Sequence, residues 1–287
     1  MCIRDSYKVP ALRALDKFIK KYEYSYFYPD VIYNKASVLF SLNKFDESIK
    51  NLQKLDSYHL DSDLKIRIHL LKGKSLIKLS RFAESEAEFL NAKISSQKLD
   101  KSYLDEASSY LVKVSGLQYR WDDSLLYYKE FKQGVTTSIH ALNASAFVLV
   151  SMEQMDRIDE GIEDFEGILI TLRLPFLQDL FSEAISTYVE FLIKRYGYEE
   201  SISRVRNLMS HSSLNDSLIE VLAMIGLEVI EQNSSKRSEE IEVYYKNFVD
   251  QFRLNDLSNN TLLKIAKYFS KMDYEIAQTY YLSLIHI

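Results

Sequence analysis

The feature that most constrains this chain is a segment that recurs. Lys44 to Leu55 reads KFDESIKNLQKL, with an aromatic at Phe45, acids at Asp46 and Glu47, a small residue at Ser48 and large apolar residues at Leu52 and Leu55. Variants of it are anchored at Phe82, Trp121, Ile158, Tyr198, Arg237 and Tyr274, at steps of 37, 39, 37, 40, 39 and 37 residues. A near-constant period of this size is the signature of stacked supersecondary units, each burying its apolar face against its neighbours rather than around one central core.

The copies share a packing code. Three positions after the anchors stand Ser48, Ser85, Ser124, Gly161, Ser201 and Ala277, with Glu240 the exception; seven positions after stand Leu52, Phe89, Tyr128, Phe165, Val205, Tyr244 and Tyr281. A small residue lets a neighbouring helix approach, and the large one a turn later fills the space beside it. Acids gather in the first turn of each copy, as in Asp46 and Glu47, Asp122 and Asp123, Asp159 and Glu160, and Glu199 and Glu200, where they complement the helix dipole. Lys44, Arg81, Arg120 and Arg157 are expected to close the preceding helices.

Between the copies apolar residues recur at i, i+3, i+4 and i+7, and strand-like alternation is not sustained. The chain therefore reads as all-α. A first helix, ALRALDKFIKKY, is expected to run from Pro10 to about Tyr22. YSYFYPD follows as a connector, with Asp30 the expected N-cap of VIYNKASVLFSL and Asn43 the left-handed residue of the next turn. Trp121, the single tryptophan, is expected to be buried between helices, and the tyrosines read as core.

Composition limits the function classes. With seven glycines, three prolines and no Pro/Gly/Ser-rich linker, one continuous array is expected. Thirty-six basic residues against 41 acids give a net charge of −5 without a basic run, which argues against general nucleic-acid binding. No apolar run approaches the roughly 20 residues of a membrane span.

The two ends carry a further expectation. Back-translated, MCIRDS and LSLIHI are reverse complements and resemble the adapter that a transposase leaves at both ends of a sequenced insert. Residues 1–6 and 282–287 are accordingly expected to be adapter-derived, and 7–281 an array truncated at both ends. Cys2 then falls outside the array, which leaves no disulfide, thiolate metal site or cysteine nucleophile. The compartment, periplasmic or cytoplasmic, and the oligomeric state are left open.

Asn43 to Ile49 (NKFDESI) and Ser80 to Glu86 (SRFAESE) resemble the turn and second-helix start of the tetratricopeptide repeat. Ala36 and Gly73, nine positions before their anchors, stand where that family has the small residue of its first helix. Two departures stand out: the period exceeds the family's, about 34, and Val112, Leu149 and Val189 replace the small residue in later copies. A HEAT-like array is the alternative for the C-terminal half. The resemblance implies a right-handed superhelical solenoid of antiparallel helix pairs, about seven repeats, with first helices lining a concave surface.

Transferring the family's register puts Tyr33, Ser37, Arg67, Lys74, Lys78, Tyr110 and Lys113 on successive concave faces. A basic groove edged by phenols suits an acidic peptide or a C-terminal carboxylate, held by charge-assisted hydrogen bonds. The resemblance thus implies a non-enzymatic protein- or peptide-binding scaffold. ALRALDKFIKKY with YPDVIYNKASVLF further resembles the bacterial envelope group that includes outer-membrane assembly and cell-division coordinators. The alternative is a regulatory or substrate-recognition arm of a larger enzyme or signalling protein.

Nothing else in the sequence forms a chemical site. His59, His69, His140 and His211 lie in different repeats without metal-ligand spacing. Asp159 to Glu166, DEGIEDFE, lacks the alternating oxygen ligands and central glycine of a calcium loop and reads as a solvated helix start. No phosphate loop, Ser-His-Asp set or paired carboxylates stand out, and the Asn-x-Ser/Thr matches at Asn143, Asn215, Asn233 and Asn259 are at chance level. No catalytic residue, metal or cofactor is therefore assigned.

Overall fold

The structure, a computed structural model, describes residues 8–97, 101–134, 139–171, 178–209, 216–232, 238–251, 257 and 259–285. The described residues form fourteen α-helices and no strand. The chain divides after Phe131 into two compact units.

In the first unit, α1 (Lys8–Lys21), α2 (Tyr28–Ser41), α3 (Phe45–Gln53), α4 (Ser62–Lys78), α5 (Phe82–Ser96) and α6 (Lys101–Leu117) pack in succession, and α7 (Trp121–Gly134) opens in it. The anchors Phe45, Phe82 and Trp121 are each the first residue of a second helix, as the period predicts. What reverses the chain before each is one repeated turn. Asn43, Ser80 and Tyr119 are left-handed, with φ of 61°, 58° and 59°. In the first of these, Lys44 N–H donates to Leu39 O and Asn43 N–H to Phe40 O, both at 2.9 Å. The same pair of bonds recurs at Arg81 and Ser80 and at Arg120 and Tyr119. This is a Schellman stop, which satisfies the last carbonyls of one helix and launches the next.

Lys44, Arg81 and Arg120 thus close the preceding helix through their backbone N–H groups, while their side chains turn to the next helix. They sit one residue before the next helix and reach forward three positions, Lys44 to Glu47 at 2.8 Å, Arg81 to Glu84 at 2.6 Å and Arg120 to Asp123 at 3.2 Å. Asp30 is also displaced from its expected role. Phe27 occupies the N-cap of α2 without a side-chain hydrogen bond, and Asp30 lies within the first turn, where it complements the dipole. Asp61 is a true cap, accepting from Leu64 N–H at 2.7 Å at the start of α4.

The packing code is visible inside the helices. Ser48, Ser85 and Ser124 are buried, as are Leu52, Phe89 and Tyr128 one turn on. Ile32, Ala36, Leu52, Leu55, Leu64 and Ile68 form one cluster, and Ile66, Leu70, Phe89, Ala107, Leu111 and Val114 the next. A Cβ on Gly73 would come within 2.7 Å of Phe89 Cζ, so the small first-helix residue is required by the large second-helix one. Trp121 departs from expectation: it is only half-buried at the start of α7, meeting Tyr119 edge to face at 5.5 Å.

The second unit repeats the plan. It contains α8 (Ile139–Gln154), α9 (Ile158–Thr171), α10 (Gln178–Met209), α11 (Asp216–Gln232), α12 (Ser238–Gln251), α13 (Asn259–Phe269) and α14 (Tyr274–Ile285). Asp156, with φ 56°, makes the turn into α9, and Arg157 pairs forward with Glu160 at 2.6 Å. The next turn is different. α10 is two helices joined across Gly197, whose φ of 75° and ψ of −179° only glycine adopts readily. Tyr198 therefore starts its copy without the left-handed stop.

The register drifts near the end. Arg237 lies outside the described residues, and Tyr245 of α12 is buried. In α14 the buried ring is Tyr280, whereas Tyr281 is 38% exposed. The cores are Leu142, Ile162, Phe165, Tyr188, Val189, Val205 and their neighbours, and Leu227, Tyr245, Leu262, Ile265 and Phe269.

Candidate functional site

The first helices α2, α4 and α6 of the first unit are neighbours in space, because each second helix returns the chain by one repeat. That packing aligns one stripe from each. The Arg67 guanidinium of α4 lies over the Tyr33 ring of α2, 4.3 Å from its centre. The Lys74 ammonium of α4 lies 5.4 Å from the centre of the Tyr110 ring of α6. Tyr110 is held flat by Phe89 of α5, stacked at 4.8 Å with 8° between the planes. Two cations from one helix thus each rest on a phenol from a different neighbour, an attraction between charge and ring quadrupole.

Both cations have acids beside them. Asp63, one turn before Arg67, accepts from its Nη1 at 3.4 Å. Glu106 of α6 forms an ion pair with Lys74 Nζ. Burial pushes the Arg67 pKa down, but the hydrogen bonds it donates to Tyr33 and Asp63, with their charges, outweigh it and the value is raised. For Lys74 burial also acts downward and is outweighed by Tyr110 and Glu106, again leaving the value raised. Both groups are cations at neutral pH, held in place rather than neutralised by burial.

Of the seven residues the sequence singled out, the structure brings four into contact: Tyr33 with Arg67, and Lys74 with Tyr110. Ser37 and Lys78 are exposed on α2 and α4, and Lys113 is half-buried on α6. Sequence reasoning omitted Asp63 and Glu106. The signal was present: Asp63 precedes Arg67 by four residues, and Glu106 precedes Tyr110 by four and Lys113 by seven, so each shares a helix face with an assigned residue.

It also missed polar pairs that join helices. His69 Nδ1 and Glu88 Oε2 lie 2.6 Å apart, linking α4 to α5. In the second unit, Glu166 of α9 accepts from the Tyr188 hydroxyl at 2.7 Å and from Arg204 through both oxygens. Asp159 accepts from Arg195 Nε at 2.9 Å and from the Tyr196 hydroxyl at 2.8 Å. Asp159 and Glu166 of DEGIEDFE thus meet cations and phenols, and among the described residues no group of three or more His, Cys, Asp or Glu could hold a metal ion. His211 lies outside the described residues.

No family model matches the chain, and no curated protein does. Among solved structures, the chain is similar to a tetratricopeptide repeat protein from Parabacteroides merdae ATCC 43184, with a TM-score of 0.49 and 11% identity over 85% of this chain and 93% of that one. It is also similar to a monomeric mutant of IFIT1 with m7Gppp-AAAA, with a TM-score of 0.47 and 12% identity over 97% of this chain and 67% of that one.

Proposed function

We propose that the chain is a protein-interaction scaffold that acts by binding rather than catalysis, and that the α2/α4/α6 face takes an acidic peptide or a C-terminal carboxylate. The observation that carries this reading is the pair of ring-supported cations, Arg67 on Tyr33 and Lys74 on Tyr110. A guanidinium already packed against a ring loses little further freedom on meeting a carboxylate, so more of the charge-assisted bond appears as affinity. Lys78, exposed one turn beyond Lys74, supplies a further cation along α4. Glu106 sets the cost: an incoming carboxylate must share Lys74 with it or displace it. A role among envelope assembly or cell-division coordinators belongs to the same proposal and rests on the α1–α2 sequence. The test is selection of peptides with free C-termini on the immobilised chain, with the charge-reversed face as comparator. Acid-rich C-termini are expected on the wild type, and equal recovery from both would overturn the assignment.

A further inference from the structure

The connector between α1 and α2 carries rings that the fold leaves uncovered. Tyr24 is 98% exposed, Tyr26 86% and Phe27 61%, with Tyr22 and Tyr58 exposed beside them. Its backbone is nevertheless a defined turn: Ser25 N–H donates to Tyr22 O and Tyr28 N–H to Ser25 O, both at 3.0 Å. Tyr28 anchors its base by stacking on Tyr58 at 5.7 Å, and Tyr26 meets Phe27 edge to face at 5.5 Å. Aromatic surface left this open, on a turn held this firmly, marks a place of contact with something else.

Charge says what kind of contact. Helix α1, KVPALRALDKFIKK, carries five cations and one acid, in a chain whose net charge is −5. The one acid, Asp16, is paired with Lys35 of α2 at 2.7 Å. Arg13, Lys17 and Lys20 follow the helix repeat on one exposed face, while Leu12, Leu15 and Ile19 lie on the opposite, partly buried face. This basic stripe ends four residues before Tyr24.

We propose that α1 and the Tyr22–Phe27 connector dock this protein on an anionic membrane surface, with Tyr24, Tyr26 and Phe27 entering the headgroup layer and Arg13, Lys17 and Lys20 lying over the lipid phosphates. Shape selects this occupant. A single strand of nucleic acid is held on aromatic platforms along a charged groove, whereas Tyr24 projects with almost no surface covered. A deformable headgroup layer needs no groove and accepts projecting rings. Among the described residues no helix is long and apolar enough to cross a membrane, so the contact is peripheral.

The experiment is co-sedimentation of the full chain with vesicles of equal parts phosphatidylcholine and phosphatidylglycerol, against phosphatidylcholine alone. Binding is expected only to the anionic vesicles, and to weaken about tenfold or more in Arg13→Glu/Lys17→Glu/Lys20→Glu and in Tyr24→Ser/Tyr26→Ser/Phe27→Ser. All six side chains are exposed, so both variants are expected to keep wild-type circular dichroism and Tm. Absent binding to anionic vesicles, or equal binding by folded variants, overturns the proposal. So does tighter binding of a single-stranded oligonucleotide that the same variants abolish, which would assign the surface to nucleic acid.

Discussion

The Ser48 hydroxyl donates to the Ala36 carbonyl oxygen at 2.8 Å, joining the second helix of a repeat to the first. The same bond, again spanning twelve residues, joins Ser85 to Gly73 at 2.9 Å and Ser124 to Val112 at 3.0 Å. The recurrent serine is therefore a donor as well as a spacer, and it gives a helical carbonyl a second, buried partner. Removing it is predicted to matter where a hydroxyl of similar burial without a partner does not. Ser85→Ala should lower stability by about 1 kcal/mol. Ser115, whose buried hydroxyl has no hydrogen-bond partner among the described residues, should tolerate Ala without loss. Chemical denaturation of the two variants side by side checks this.

Gly73 and Gly161 make a second contrast. A Cβ at Gly73 meets the Phe89 ring at 2.7 Å, and that ring is fixed by its stack on Tyr110. Gly73→Ala should therefore cost about 1–3 kcal/mol. A Cβ at Gly161 meets Met152 Sδ at 2.7 Å and Leu149 Cδ2 at 2.8 Å. Both lie towards the ends of flexible side chains that can move, and alanine gains up to about 1 kcal/mol in helix propensity. Gly161→Ala should be near neutral by the same measurement.

Tyr119 holds φ at 59°, a conformation costly for a bulky residue, and its ring is 78% exposed. Tyr119→Gly relieves that cost, which is about 1–2 kcal/mol. The gain is reduced by the loss of the Trp121 contact and by the larger entropy of an unfolded glycine. A net rise in stability of about 0.5 kcal/mol or more is expected, read as an increase in Tm.

How much of this was legible in the sequence follows from what each feature depends on. The period placed the starts of α3, α5, α7, α9 and α14 because anchor, small residue and large residue are local to one helix and repeat with it. In the last copy it points to Tyr281, whereas the buried ring is Tyr280. It also put Trp121 too deep, because a helix's first residue has only one flank covered. Lys44, Arg81, Arg120 and Arg157 do close the preceding helix, but through the backbone N–H; that their side chains pair forward instead is not visible in sequence, because one residue after a left-handed turn the two directions read alike. The face of Tyr33, Arg67, Lys74 and Tyr110 could be listed from register, but not the stacking that pairs them, which depends on helix-to-helix distance.

Alkaline pH should expose the Glu166 network. Burial raises the Tyr188 pKa well above its ordinary value of 10.0, with the Glu166 charge and hydrogen bond adding to it. Because the folded value lies above the unfolded one, the stability this phenol contributes is complete below about pH 10 and is lost as pH rises through the folded value. Tyr280, raised to about 12 mainly by burial, acts in the same direction. Tyr188→Phe should cost about 1–2 kcal/mol at neutral pH by taking a donor from buried Glu166. The gap to wild type should narrow above pH 10. Denaturation midpoints against pH for both proteins test this.

Asp159 works in the opposite sense. Hydrogen bonds from Arg195 and then Tyr196 hold its carboxyl below the usual value of 3.8. Its contribution is present above that value and is lost as pH falls through the lowered folded one. Asp159→Asn should flatten the acid side of the same profile.

The most direct test of the central claim, that the α2/α4/α6 face binds acidic C-terminal peptides, is selection from a random peptide library with free C-termini on the full chain and on Lys74→Glu/Lys78→Glu/Lys113→Glu. Acid-rich C-termini should be enriched on the wild type and lost from the variant while its circular dichroism is unchanged. Enrichment without acidic preference, or the same peptides recovered from both proteins, would contradict it.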